Sequence, residues 1–144
     1  MKWLAVALLL AGCAAAPETG PRPAALDGPT RLRLAADGLA VAGSGQVISF
    51  SRTEAGVVTA VTGLLGAAPD RRTGSNACHV IGWGGLALHF QTDDFLGWSE
   101  TSGDVALTDG VAVGATGPVP AGVRAARDAQ GQIATLSAGT LCPV

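Results

Sequence analysis

The chain has 144 residues, of which 48% are hydrophobic and 14% charged, with a formal net charge of −2. That length suits one compact domain with a short appendage. The mild acidity argues against nucleic acid as a partner, and against charge-driven binding to an anionic membrane surface.

At the start of the chain Lys2 supplies a positive charge, and Trp3 to Ala11 form an apolar run too short to span a bilayer. The run closes on Leu10-Ala11-Gly12-Cys13, with small residues before the cysteine. This stretch resembles a bacterial lipobox. The resemblance implies a lipid on the Cys13 thiol, cleavage before Cys13 and acylation of the new amino terminus. An ordinary secretory signal cut at Ala14-Ala15-Ala16, with Cys13 incidental, is the alternative. Removing residues 1–12 leaves 144 − 12 = 132 residues, and the loss of Lys2 moves the formal charge from −2 to −3.

Residues 13–30 carry Pro17, Pro21, Pro23 and Pro29 without apolar periodicity, the composition of a semi-extended tether. Ala14, not Asp, follows the cysteine. By resemblance to the sorting rule of enteric Gram-negative bacteria, this implies the outer membrane, with the domain facing the periplasm. Of the three cysteines, assigning Cys13 to lipid leaves Cys78 and Cys142 as an even pair in an oxidising compartment. A disulfide between them is expected, and two buried free thiols are the alternative.

The remaining residues, 31–144, are expected to form a single domain. Arg31 and Arg33 alternate with Leu32 and Leu34 over 30–34, a strand with one wet face. Asp37-Gly38 signals a turn, Leu39 to Val41 a returning strand, and Gln46 to Phe50 a third. A helix over about 51–66 follows. Ser51 with Glu54 fits a capping box, with Thr53 as the alternative cap. Val57, Val58, Val61, Leu64 and Leu65 fall on one stripe, Gly66 can close the helix, and Pro69 prevents its return. Gly56, Gly63 and the β-branched residues are poor helix formers, so packing must hold it.

Asp70 to Asn76 reads as a polar loop. Cys78–Trp83, Leu86–Gln91 and Phe95–Glu100 then read as a three-strand meander, with Gly84-Gly85 as a tight hairpin turn. Further on, the alternation of Val111 to Thr116 echoes that of Val47 to Arg52, a strand ending where a helix could start. Pro118, Pro120 and Gly122 leave at most a stunted helix at 123–128, and Gln132 to Ser137 makes a last strand. The fold class expected is α+β: an antiparallel meander with one amphipathic helix on one face, and a degenerate duplicated second half as an open alternative.

Strand, capped helix, glycine- and proline-closed loop and a tryptophan-containing meander together resemble the small α/β lipoproteins of proteobacteria. The comparison covers roughly 47–100 and is architectural. Within that group the chain resembles the SmpA/OmlA-type accessory lipoproteins of the outer-membrane assembly machine and the β-lactamase-inhibitor-protein scaffold. Both place helices on one face of an antiparallel sheet and act by binding proteins. The resemblance implies a non-catalytic module that holds a partner protein or envelope component by its sheet face or sheet edge. Capture of a soluble ligand is the first rival, and a minor enzyme the second.

No residue pattern announces catalysis. Gly43-Ser44-Gly45 lacks the strand-to-helix setting of a nucleophile elbow. Cys78 and His79 are neighbours on a strand and should point to opposite faces. His79, His89, Asp93 and Asp94 match no compact metal site, and no cofactor motif is present. The candidate interaction surface is therefore aromatic: Trp83, His89, Phe95 and Trp98. For each tryptophan, core anchoring under the helix is the favoured reading, with at least one expected inside. His89 is expected on a solvated face. Phe95 and Trp98, out of phase on one strand, should face opposite sides, leaving one exposed.

Overall fold

The computed structural model describes residues 30–143. Cys13, the lipobox and nearly all of the tether therefore lie outside the described residues. Nine strands and one helix run in the order β1 (Leu32–Ala35), β2 (Gly38–Val41), β3 (Val47–Ser49), α1 (Glu54–Leu65), β4 (Arg71–Ser75), β5 (Cys78–Trp83), β6 (Leu86–Gln91), β7 (Asp94–Glu100), β8 (Val123–Arg127) and β9 (Ile133–Gly139). They form a three-stranded sheet, β1-β2-β3, and a six-stranded sheet, β4-β5-β6-β7-β9-β8, with every neighbouring pair antiparallel. The class is α+β and rich in sheet. No helix among the described residues is long and apolar enough to cross a membrane.

One hydrophobic cluster joins both sheets and the helix: Leu32, Leu34 and Leu39 from the small sheet, Val57, Val61 and Leu65 from α1, and Ile81, Leu88, Phe90, Phe95 and Trp98 from the large sheet. Two indoles tie the layers together. Trp98 Nε1–H donates to the Ala35 carbonyl at 2.8 Å, holding the β1–β2 turn against the large sheet. Trp83 Nε1–H donates to the Ala67 carbonyl at 3.0 Å, holding the chain just beyond α1. A buried indole needs such an acceptor, so each tryptophan both fills volume and fixes an element. The outer side of β1 is occupied too: Leu34 exchanges backbone bonds with Ala106 and Thr108.

The helix begins differently from the capping box. Thr53 is the N-cap residue and its side chain makes no capping bond. Ser51 lies in the left-handed region (φ 69°). The first free N–H of the helix, that of Glu54, instead donates to the backbone carbonyl and Oδ1 of Asp93, in the β6–β7 turn. A carboxylate at a helix N-terminus is favourable whichever part of the chain supplies it. At the other end Gly66, at φ 67°, closes the helix as its sequence predicts, its N–H donating to Thr62.

Three expected elements are replaced. The polar loop 70–76 contains β4, paired along its whole length with β5. The stunted helix at 123–128 is instead β8, an edge strand on β9. The strand expected at 111–116 is irregular, with a single turn at Val113-Gly114. A duplicated second half would repeat strand then helix. Among the described residues that half supplies two strands, β8 and β9, and no helix.

Candidate functional site

The contact surface expected from Trp83, His89, Phe95 and Trp98 does not form, because all four side chains are buried. Phe95 and Trp98 were expected on opposite faces, yet both lie in the core. The cause is a bulge: Leu88 pairs with Trp98 and His89 with Gly97, but Phe90 pairs with Phe95, so Leu96 is an extra residue. One added residue reverses the alternation and returns Phe95 to the face of Trp98. His89, expected in solvent, is 7% exposed on the opposite face of the sheet.

What covers His89 is the C-terminal segment. Cys78 and Cys142 are joined, with an S–S distance of 2.08 Å, and the Cys142 N–H donates to His89 Nδ1 at 3.0 Å. Nδ1 must therefore offer its lone pair, which puts the proton on Nε2, 3.1 Å from Ser99 Oγ. That tautomer donates to Ser99 and has no lone pair to receive the hydroxyl proton. The Ser–His pair thus lacks the base that nucleophilic activation requires. Burial also holds the His89 pKa below its ordinary value of 6.5, favouring the neutral ring.

The other histidine is equally engaged. His79 stacks on Phe90 with ring centroids 5.6 Å apart. Its Nδ1 meets the Ser75 carbonyl at 3.2 Å and its Nε2 meets the Glu54 carboxylate, whose second oxygen accepts from Arg72. Burial opposes ionisation of Glu54, but hydrogen bonds from Arg72 and His79, with their positive charge, outweigh it and hold the carboxyl below its usual range. This chain ties α1 to β4 and β5 and leaves neither ring nitrogen free for a substrate. Among the described residues no three His, Cys, Asp or Glu side chains converge on a possible metal position.

An open concave feature lies between β3 and α1. A cavity of about 560 Å³ is lined by Val41, Gln46, Val47 and Ile48 on one side and by Thr59, Ala60, Gly63 and Leu64 on the other, with Arg52 at the junction. A second, of about 210 Å³, continues it along Gly56, Val57 and Ala60 and shares Val47, Ile48 and Arg52. Together they make a groove running beside the last strand of the small sheet. Val47, 43% exposed, is the one large apolar side chain exposed among the described residues, and it stands on this rim.

No known family model, curated protein or solved structure matches the chain. The groove must be read from its own residues.

The helix wall is low. Gly56, Ala60 and Gly63 recur at i, i+4 and i+7 on the flank next to the Val57–Val61–Leu65 stripe. Each glycine inside a helix costs about 0.5–1 kcal/mol relative to alanine, so packing ought to justify them. It does not: a Cβ on Gly63 would meet nothing within 4 Å, and one on Gly56 would meet only Thr53 Oγ1, at 3.2 Å. The backbone that carries Arg52 is tied to β7, because the Ser51 N–H donates to the Phe95 carbonyl at 2.7 Å and the Phe95 N–H to the Arg52 carbonyl at 2.9 Å. In the sequence this site is faint: Val47, Ile48 and Arg52 read as a strand leading into a helix, and Gly56 and Gly63 only as weak helix formers. Their helical spacing beside the apolar stripe was the available signal.

Proposed function

We propose that this protein is a lipoprotein of the bacterial envelope, anchored through Cys13 in the outer membrane with its domain facing the periplasm. Its work is non-catalytic: it holds a partner protein in the groove between β3 and α1. The observation that carries the reading is the coincidence of three things in one groove: the exposed apolar Val47, a helix wall of small residues and the unpaired guanidinium of Arg52. The lipobox supports the address, and Ala14 after the cysteine supports the outer membrane. The two histidines favour binding over catalysis, since each ring is committed to a structural contact. Capture of a small amphipathic ligand is the second reading, favoured by a cavity of about 560 Å³, within the size range of small-molecule sites.

Placing a photo-crosslinking amino acid at Val47 in living cells tests the proposal, with exposed Ala134 on β9 as the control position. One envelope protein joined from Val47 and not from Ala134 is the expected result. Equal labelling from both positions, or none from Val47, would remove the groove from consideration as a protein-binding site.

A further inference from the structure

We infer that the occupant of the groove is an extended polypeptide segment of the partner, added as a strand to the free edge of β3 with an acidic group against Arg52. This rests on the binding-module reading above and specifies its mode.

The register of β3 leaves its outer edge open. Val41 N–H donates to Gln46 and Phe50 N–H to Asp37, so hydrogen-bonded pairs alternate from those two points. Leu39 and Ile48, midway between them, face each other with their bonds turned inward. Val47 and Ser49 therefore turn their N–H and C=O groups away from β2. Both residues are exposed, and neither backbone bonds outward to any described residue. Two residues spaced by two, each presenting one donor and one acceptor, form the template that an added strand requires.

Other edges are closed or blunted. The outer side of β1 is bonded to Ala106 and Thr108. Arginines protect two more: Arg71 and Arg72 on β4, and Arg124 and Arg127 on β8. Short length, charge, proline and bulges are the usual means of discouraging edge pairing, and Val47-Ile48-Ser49 has only the first of them, being three residues long. The low helix wall then has a purpose, since a strand laid along β3 needs the space that a side chain on Gly63 would take.

Charge selects the occupant. Each of the other described arginines donates to a carboxylate or a backbone carbonyl. Only the Arg52 guanidinium has no hydrogen-bond partner among the described residues, and it borders both parts of the groove. A carboxylate on the incoming segment, as an Asp or Glu side chain or a free C-terminus, complements it.

The test pans a random heptapeptide library against the purified full chain in detergent and measures the enriched peptides by fluorescence anisotropy. The expected sequences alternate apolar residues and carry one acidic group. Gly63→Leu, on an exposed helix position, should abolish binding without lowering the melting temperature. Arg52→Gln should weaken it about tenfold, as expected for loss of a charge-assisted bond, while Arg71→Gln, on another surface, should leave it unchanged. No enrichment, or undiminished binding by Gly63→Leu, would overturn the inference. So would two other outcomes: a dimer abolished by Gly63→Leu, which puts a second copy on β3, and tight groove binding by a peptide of residues 14–29, which puts the chain's own tether there. Crosslinking from Val47 that persists when no peptide binds would refute strand addition alone and leave the binding module standing.

Discussion

His89 is set by its neighbours to hold one proton on Nε2 and lend its other nitrogen to the Cys142 amide. Protonating the ring would turn Nδ1 into a donor facing another donor, inside the protein. The folded state therefore resists a proton that the unfolded chain accepts near pH 6.5. The sign follows by linkage: below that pH the unfolded state binds more protons, so stability is full above it and declines as the pH falls toward the folded pKa. Glu54 acts in the same direction over a lower window, beginning near its ordinary value of 4.5, because its salt-bridged carboxylate is the form that folding favours. Denaturant unfolding measured across this range should show stability declining through both windows. His89→Gln should remove the upper part of the slope and keep the lower, and Glu54→Gln should do the reverse. An upper slope unchanged in His89→Gln would show that the ring does not sense the proton as the geometry requires.

Two glycines of one chain should respond oppositely to the same substitution, because their elements make opposite demands. Gly63→Ala, on a helix flank with open space, should stabilise by about 0.5–1 kcal/mol. Gly97→Ala should destabilise, because its Cβ would stand 2.5 Å from the Thr140 carbonyl oxygen and 2.6 Å from that of Ala138. Those atoms are backbone of β9 and of the segment after it, so relief means parting β7 from β9. Paired thermal melts of the two variants check this, and a loss of stability in Gly63→Ala would mean that the helix wall is packed rather than open. The same contrast explains what the sequence disclosed. Elements with a buried side imprint it as periodicity, so α1 was legible from Val57, Val61 and Leu65, and the meander from Leu86, Leu88 and Phe90. Edge strands carry less of that imprint. All five residues of β4 are exposed, and β8, with Val123 buried among Arg and Ala, has a composition equally suited to a helix. The inserted Leu96 was illegible for another reason, since a bulge is a property of the pairing and not of either strand. The groove shared that obscurity: only the pairing of β2 with β3 reveals which backbone groups are left over.

At the scale of the whole molecule a covalent bridge ties the C-terminal segment to the large sheet, and the proposed lipid on Cys13 would tie the chain at its other end. Cys13→Ser should leave an unlipidated protein that no longer sediments with membranes and lacks the acyl mass. Unchanged fractionation and mass would refute the anchor. The bridge is the stronger structural statement, because Cys78 and Cys142 lie 64 residues apart and span most of the fold after the helix. On the chain-entropy argument a loop of that length contributes about 4 kcal/mol. The double variant Cys78→Ser, Cys142→Ser should therefore lose stability of that order in denaturant unfolding against the oxidised protein. A second effect must accompany it if the C-terminal segment is what buries His89. Without the bridge the segment keeps hydrogen bonds such as those from Thr140 to Leu96 and from Cys142 to His89 but no covalent tie, and when it lifts, the ring regains solvent and loses the amide that fixed its tautomer. The upper acid slope assigned to His89 should then shrink in the double serine variant without any change to the histidine itself. A variant that loses stability but keeps the full slope would separate the two roles and show that the segment stays in place without its disulfide.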